Sequence, residues 1–144
     1  MSKAPPVSMI EVSLFVHATE DLDKVMESLK NVLGDNIANI SFHRDDLQGH
    51  YGNPIIFLKA KIREDALIKG IMEALAERIE NADRGYLLSN AERCTDDKGS
   101  FFLRLDKQAA YLGRIVASQA DPIHIKIRPR QKSDSISTLF QTAT

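Results

Sequence analysis

The sequence has few of the residues that cross-link a chain or anchor it in a membrane. It contains one cysteine. A single cysteine excludes an intrachain disulfide framework and a cysteine-rich zinc site, and it suits a reducing compartment. No uncharged apolar stretch approaches the ~18 residues that a membrane span needs. Residues 1–7 lack the apolar run of a secretion signal, so we expect a cytoplasmic protein with no membrane partner.

Motifs for catalysis and for cofactor binding are also missing. The chain has no glycine-rich phosphate loop, no GxGxxG after a strand and no serine in a nucleophile elbow. Cys94 has no neighbouring histidine or lysine that would activate its thiol. We therefore predict a protein that is not an enzyme and that uses no cofactor and no metal.

The four histidines are scattered, and one cluster combines residue types that bind metals: His43, Asp45, Asp46 and His50. It falls where a strand runs into a turn, and there Asp is a common turn former and His a common surface residue. A metal-dependent hydrolase that uses His43, Asp45 and His50 is an alternative to the prediction of no metal.

The residues that are present predict one globular domain. The chain has 144 residues, of which 43% are hydrophobic and 27% charged, and its net charge is −1. That length suffices to bury a core. Val7–His17 alternates apolar and polar side chains, which predicts a half-buried strand. Leu22–Leu33 has the apolar spacing of a helix, with Thr19 as the expected N-cap and Gly34 as the stop.

The same two periodicities recur along the rest of the chain. We predict further strands at 38–45, 55–63, 101–105 and 123–128. We predict further helices from Asp65, at 83–93, and over one or two turns that are capped by Asp106 and closed by Gly113. Residues 49–54 have the composition of a turn, and 114–118 is a candidate short strand.

Alternating strands are typical of a sheet that is covered on one face. The expected fold is therefore α+β, a mixed, mainly antiparallel sheet with helices packed on one face. We assign residues 1–128 to a single domain. Residues 129–144 form a basic and then Ser/Thr-rich C-terminal tail, which we expect to be mobile unless Leu139 and Phe140 dock.

Strand alternation also predicts a basic surface on the side of the sheet away from the core. Its residues come from two strands and the segment just beyond the last one: Lys59, Lys61, Arg63, His124, Lys126, Arg128, Arg130 and Lys132. A row of such cations on a rigid sheet can follow nucleic-acid phosphates, and such binding is salt-sensitive. The alternatives are that these side chains provide solubility and edge protection, or that the face pairs with a protein. An exposed apolar patch of Met9, Phe15, Ile55 and Phe57 would favour the protein interface.

A second charged segment surrounds the start of the short helix after the fourth strand. Asp106 is the expected cap, and Arg104, Lys107 and Gln108 lie beside it in sequence. Free N–H groups at a helix N-terminus together with basic side chains can bind an anion. A capped turn with ordinary surface charges explains the same residues equally well.

Three segments resemble a known family: His17–Asp21, Gly49–Pro54 and Arg104–Gly113. In this order they are similar to motifs of an archaeal RNA-binding protein family described as predicted exosome subunits, and the similarity spans residues 7–128. The resemblance implies a fold like that of the ribosomal large-subunit protein that binds the small ribosomal RNA. It also implies an archaeal, cytoplasmic protein that acts in RNA processing. The positions it marks as binding candidates are His50, Tyr51, Asn53, Arg104, Lys107 and Gln108.

We therefore predict a non-catalytic RNA-binding protein, an accessory of an archaeal exosome or of ribosome-related RNA processing. Its expected partners are RNA, exosome or ribosomal proteins, and a second copy of the chain. The alternative function is a protein-interaction or dimerisation module that uses the uncovered face of the sheet. The predicted RNA-binding residues are Lys59, Lys61, Arg63, Lys126, Arg128, Arg130, Arg104, Lys107, Gln108, His50, Tyr51 and Asn53.

Overall fold

The computed structural model describes residues 6–80, 84–93, 95–131 and 135–141. The strands are β1 (Val7–His17), β2 (His43–Gln48), β3 (Pro54–Ile62), β4 (Phe101–Leu105) and β5 (Ile123–Pro129). The helices are α1 (Leu22–Leu33), α2 (Asp65–Glu80), α3 (Arg84–Arg93), α4 (Lys107–Tyr111) and α5 (Ile136–Gln141). A 3-10 helix covers Gly34–Asn39. The predictions for the start of the helix at residue 83, for Cys94 and for Lys132 concern residues that lie outside the described ranges.

The five strands form one open sheet in the order β2-β3-β1-β5-β4. Every pairing between neighbours in this sheet is antiparallel. In the centre, Val12 lies opposite Ala60 on one side and opposite Ile125 on the other. The predicted α+β class, with helices on one face of a mainly antiparallel sheet, is confirmed.

The core lies between the helices and the covered face of the sheet. Alternate residues of β1, such as Val12 and Leu14, are fully buried there, as are Leu29 of α1 and Ile71 of α2. Burying a side chain of this size stabilises the fold by about 1.5–3 kcal/mol. The apolar side chains that recur every second residue in the strands and every 3.6 residues in the helices therefore pack together in one apolar layer.

Four residues separate the end of β1 from the start of α1, and the N-cap of α1 is not the predicted residue. Asp21 is the N-cap, because its carboxylate accepts a hydrogen bond from the backbone N–H of Asp23 at 2.9 Å. The prediction of Thr19 as the cap is wrong, since the chain still turns at Thr19 before the helix starts. The predicted stop at Gly34 is confirmed. It has φ 69° and its N–H donates to the carbonyl of Lys30, a conformation that favours glycine.

The second strand, predicted at residues 38–45, begins in the structure only at His43. The 3-10 helix occupies its first residues, and Ile40 and Phe42 pack half-buried against the core before β2 starts at His43. The register explains the shift, because pairing runs outward from the tight turn, beginning with Gln48 opposite Pro54. The candidate strand at 114–118 is reduced to one bridge between Leu105 and Ala117.

The segment that we expected to be a mobile tail contains α5. Ile136, Leu139 and Phe140 are at most 1% exposed, and the helix contacts α2 and α3. The structure thus departs from a mobile tail over residues 135–141 and has the docking that Leu139 and Phe140 allowed. Among the described residues, no helix is long and apolar enough to cross a membrane.

Candidate nucleic-acid interface

The face of the sheet opposite the helices, which we call the open face, carries the alternate residues of each strand. One cross-strand row consists of His43, Lys59, Ser13, His124 and Arg104. The adjacent row consists of Lys61, Glu11, Lys126 and Phe102. Phe15 and Phe57 lie opposite each other further along β1 and β3. Four of the predicted RNA-binding residues therefore share one surface: Lys59, Lys61, Lys126 and Arg104.

Two of these lysines share a single carboxylate. The Nζ atoms of Lys59 and Lys61 lie 3.6 and 3.9 Å from Oε1 of Glu11. The lysine side chains are 41% and 53% exposed, whereas that of Glu11 is 18% exposed. One negative charge beside two exposed positive charges leaves this part of the open face positive.

Lys126 of β5 is paired across the edge of the sheet with Asp96. Its Nζ lies 3.4 Å from Oδ2 of Asp96. The pKa of Asp96 is lowered to about 2, first by the hydrogen bond from the Ser100 backbone N–H, with further contributions from the Lys98 N–H and from Lys126. These interactions outweigh the opposing effect of burial. Asp96 is therefore ionised at neutral pH and holds Lys126 at the sheet surface.

Arg104 has a different environment. Its guanidinium group lies 5.7 Å from the ring centroid of Phe102, and Nζ of Lys126 lies 5.8 Å from the same centroid. No carboxylate in the described part of the chain lies within 4.0 Å of the Arg104 side chain. Phe102 was not among the predicted site residues, although strand alternation places it on the same face as Arg104.

His124 lies between Ser13 and Arg104 in the first row. Burial lowers its pKa, and the positive charge of Arg104 lowers it further, against a smaller opposing effect of Asp121. His124 is therefore uncharged at neutral pH and adds positive charge to the open face only in acid.

The far end of the open face carries an apolar patch, next to Asp45, which lies opposite Phe57. The rings of Phe15 and Phe57 are 4.8 Å apart at an interplanar angle of 40°, and Phe15 is 38% exposed. Leu47 of the edge strand lies opposite Ile55 and is also exposed. Met9, which we considered part of this patch, is buried.

Three of the predicted arginines lie outside the two central rows. Arg63 is exposed just beyond β3. Arg128 is opposite Met9 and half-buried, and its Nε is buried without a hydrogen-bond partner in the described structure. Arg130 follows β5 and contacts Oδ1 of Asp65, at the start of α2, at 3.3 Å.

The residues predicted to form an anion site do not converge. Asp106 caps α4 by accepting a hydrogen bond from the Ala109 N–H at 2.8 Å. Arg104 lies over Phe102 on the open face, and Gln108 is exposed on α4. Lys107 points into a separate group of acidic residues. Only the capping role of Asp106 has the arrangement that we expected.

The Lys107 cluster consists of Lys107, Glu20, Asp121 and His17. The Lys107 Nζ lies 2.9 Å from Glu20 Oε1, 2.7 Å from Asp121 Oδ2 and 2.8 Å from the Phe15 carbonyl. His17 Nε2 lies 3.0 Å from the same Asp121 oxygen. The Lys107 side chain is only 10% exposed, so this ammonium group is neutralised within the fold. The cluster borders a polar cleft of about 440 Å³ between α1 and α4.

The Lys107 cluster also contains the group of potential metal ligands that the described residues bring within 4.8 Å of one another: His17, Glu20 and Asp121. The Lys107 ammonium already contacts both carboxylates, and so occupies the place of a cation. The His43, Asp45 and His50 group, which the sequence offered as an alternative metal site, is arranged differently. His43 lies 3.1 Å from Asp45, whereas the His50 ring packs edge-on against Tyr51 beyond the end of β2.

The β2–β3 turn carries the remaining predicted residues, His50, Tyr51 and Asn53. Tyr51 is 91% exposed, and its ring lies 4.8 Å from that of His50. The Asn53 carbonyl accepts from the Gly49 N–H at 2.7 Å, and a Cβ at Gly49 would lie 2.7 Å from Asn53 Oδ1. A side chain at position 49 would therefore displace the Asn53 amide, and the turn presents an exposed aromatic pair at its tip.

Comparison with known proteins agrees with a nucleic-acid interface. The model of the RNA-binding family matches residues 9–129. RNA-binding protein PAB1135 of Pyrococcus abyssi is 37% identical over 122 residues, which cover 83% of this chain and 79% of that protein. Protein MJ0213 of Methanocaldococcus jannaschii is 30% identical over 144 residues, 92% of this chain and 95% of that protein. The structure of the DUF54 protein Mth689 from Methanothermobacter thermautotrophicus is similar with a TM-score of 0.71 at 29% identity, covering 94% of each chain.

Proposed function

This chain belongs to the RNA-binding family, and on that premise we propose that it binds RNA through the open face. Lys59, Lys61, Lys126 and Arg104 contact the phosphates in this proposal. Arg63 and Arg128 extend the surface along β3 and β5, and the exposed pair His50 and Tyr51 provides a contact at the hairpin tip.

The observation that carries the proposal is that four cations lie in two adjacent rows and that nearby carboxylates neutralise only part of their charge. Glu11 is shared by Lys59 and Lys61, and Arg104 has no carboxylate within 4.0 Å in the described structure. The cations extend over four adjacent strands, from β3 to β4, which at ~4.8 Å per interval is about 14 Å and enough for two or three phosphates. Because the net charge of the chain is −1, this local segregation of charge supplies the attraction.

The test is a filter-binding titration of RNA over a range of salt concentrations with Lys59→Ala/Lys61→Ala/Lys126→Ala. We expect the affinity at low salt to fall about 100-fold, at roughly 1 kcal/mol for each lost charge contact. The slope of log K against log salt should fall in magnitude by about 2, since three phosphate contacts on single-stranded RNA contribute ~0.7 each.

The matched control is Lys24→Ala/Lys30→Ala/Lys69→Ala, which removes the same charge from exposed positions on α1 and α2. It should keep the affinity within about threefold of wild type and keep most of the salt slope, because only long-range screened interactions change. Equal losses in the two triple variants would mean that the open face is not the binding surface.

We propose binding without catalysis. The support is the family match together with the Lys107 cluster, where the Lys107 ammonium group contacts both carboxylates. End-labelled RNA incubated with the protein and Mg²⁺ should keep its length. Shortening of the RNA by wild-type protein, at a rate that depends on protein concentration, would contradict this part of the proposal.

The finer proposal is an accessory role in an archaeal exosome or in ribosome-related RNA processing, in the cytoplasm. Its support is the resemblance of residues 17–21, 49–54 and 104–113 to predicted exosome subunits, which also suggests a fold like that of the ribosomal large-subunit protein. Adding the chain to a purified archaeal exosome should change the rate of RNA degradation, and the triple lysine variant should not. No change with wild-type protein, while RNA is still bound, would remove only the exosome role.

A protein-interaction role is the second candidate, and the apolar end of the open face favours it. Leu47, Ile55, Phe15 and Phe57 form adjacent cross-strand pairs there. Sedimentation at increasing protein concentration should then show a dimer that Leu47→Ser weakens. A monomer at all concentrations would exclude a homodimer through this face and leave RNA binding unaffected.

A further inference from the structure

We propose that the β4 rim of the open face binds an unpaired nucleobase, so that the RNA class taken by this protein is single-stranded. This inference rests on the proposed function and adds to it a specific site. The site consists of the Phe102 ring, the flanking cations Arg104 and Lys126, and the side-chain amides of Asn90 and Gln119.

The ring is the first part of the site. Phe102 is half-buried on the open face, with the Arg104 guanidinium and the Lys126 ammonium 5.7 and 5.8 Å from its centroid. Aromatic rings and guanidinium planes are the surfaces on which single-stranded bases stack. Because both cations lie over the ring, a base would stack on it in their place, and the cations would turn to the phosphates on either side of that base.

The amides are the second part of the site. A narrow groove between α3 and the edge of β4 is lined by Asn90 and Leu87 of α3, by Phe102, Leu103 and Arg104 of β4, and by Ala117 and Gln119. Each amide carries both a donor and an acceptor, which matches the mixed hydrogen-bonding edges of the bases. The groove holds only about 10 Å³ and so admits no base. A base would therefore lie on the ring and direct its edge to the amides.

The position of the site in the sheet makes it accessible. β4 is an edge strand of the sheet. It is bordered by α3, by the Leu105–Ala117 bridge and by a hydrogen bond from the Ser118 N–H to the Arg104 carbonyl. The Phe102 ring is therefore reached from the open face, where it is partly exposed. At the opposite edge of the sheet, His43 is paired with Asp45, whose carboxylate would repel a phosphate.

A double helix cannot use this site. In A-form RNA the bases are stacked inside the duplex and the major groove is too narrow for side chains. A duplex would contact the cations alone, whereas an unpaired strand contacts the cations and the ring. The expected preference for single strands is therefore about tenfold, since stacking on an aromatic side chain contributes about 1–3 kcal/mol per base.

The experiment compares Phe102→Leu with wild type by fluorescence anisotropy, using one RNA sequence as a single strand and as a duplex. Leucine keeps an apolar side chain and removes the ring. We expect the single-strand affinity to fall about tenfold, the duplex affinity to stay unchanged and the salt slope to stay the same. The matched control is Tyr111→Leu, which removes a 37% exposed ring on α4. It should bind both RNAs as wild type does.

A second variant keeps the test decisive if Phe102→Leu does not fold. Gln119→Ala changes an exposed side chain and should reduce the differences in affinity among the four homopolymeric single strands by about threefold, with little effect on duplex binding. A 2-aminopurine base in the single strand should lose fluorescence on binding wild-type protein, because it becomes stacked.

The outcomes separate the two proposals. If wild-type protein binds single strand and duplex equally and 2-aminopurine fluorescence does not change, the nucleobase site is wrong and phosphate binding on the open face stands. If wild-type protein binds neither RNA at low salt, the proposed function itself is wrong. If Tyr111→Leu lowers single-strand affinity as much as Phe102→Leu does, the base lies elsewhere.

Discussion

The open face and the Lys107 cluster both contain basic residues that the sequence marked as binding candidates, but their charges have different partners. Lys59 and Lys61 are about half exposed and share Glu11 at 3.6 and 3.9 Å. Lys107 is nearly buried and contacts two carboxylates at 2.9 and 2.7 Å, together with the Phe15 carbonyl. The open face therefore has positive charge available for a ligand, and the Lys107 cluster has none to offer.

The difference shows that the number and distance of the partners, rather than the presence of a lysine in a motif, decide what the lysine does. Exposed ion pairs at more than 3.5 Å are weak and are easily exchanged for a phosphate. A nearly buried ammonium with three oxygen ligands is strongly held, because leaving those oxygens unpaired is costly. Lys107 is thus expected to act in stability, and the open-face lysines in binding.

The largest expected effect is on the Lys107 cluster. Lys107→Met should lower the free energy of unfolding by about 2–3 kcal/mol, because Glu20 and Asp121 lose their shared cation. The estimate is below that for a fully buried pair, since these carboxylates are 27% and 39% exposed. The melting temperature should fall by about 8–12 °C for a domain of this size. Thermal unfolding followed by circular dichroism measures the change.

The control for this variant is Lys24→Met, which makes the same substitution at an exposed residue whose Nζ lies 6.0 Å from the Tyr111 ring centroid. It should change the stability by less than about 0.5 kcal/mol. Folded Lys107→Met should keep the salt slope of RNA binding. A stable Lys107→Met with a reduced slope would reverse the comparison and make Lys107 a phosphate contact.

The next largest effect is expected at Glu11. Glu11→Gln keeps the shape of the side chain and frees Lys59 and Lys61 from their shared carboxylate. RNA affinity at low salt should rise about threefold to fivefold, at roughly 1 kcal/mol for the removed repulsion, and the salt slope should become steeper. Filter binding measures both quantities. Glu27→Gln, an exposed change on α1, should have little effect, and an unchanged affinity in Glu11→Gln would mean that these lysines do not contact RNA.

The local part of the fold could be predicted from the sequence. β1 has the predicted bounds, and Asp106 and Gly34 have the predicted capping and stop roles, because alternation and capping act over a few residues. The start of β2 could not be predicted. Ile40 and Phe42 are apolar and alternate as strand residues do. The paired residues of the hairpin, however, run from Gln48 opposite Pro54 to His43 opposite Lys59, and the pairing stops before Phe42 is reached.

The site could be predicted in its geometry but not in its energetics. Strand alternation placed Lys59, Lys61 and Lys126 on one surface, and it also placed Phe102 there, although that signal was not used. The partners of Lys107 could not be inferred, because Glu20 is 87 positions away in the chain. Whether a charge is free depends on such distant contacts, and no local pattern encodes them.

The smallest expected effect concerns His124, which adds a positive charge to the first cross-strand row of the open face at acid pH. Because burial and Arg104 lower its pKa, the imidazole becomes charged only below the usual range of histidine, and a bound phosphate favours that protonated form. RNA affinity should therefore rise as the pH falls from 7 toward 5, by up to about fivefold for one added charge contact at roughly 1 kcal/mol. In His124→Gln the part of this rise that comes from His124 should be lost, while the affinity at pH 7.5 stays the same. RNA-binding titrations of both proteins over this pH range at constant ionic strength measure the difference. Superimposable pH profiles would mean that His124 does not contact a phosphate.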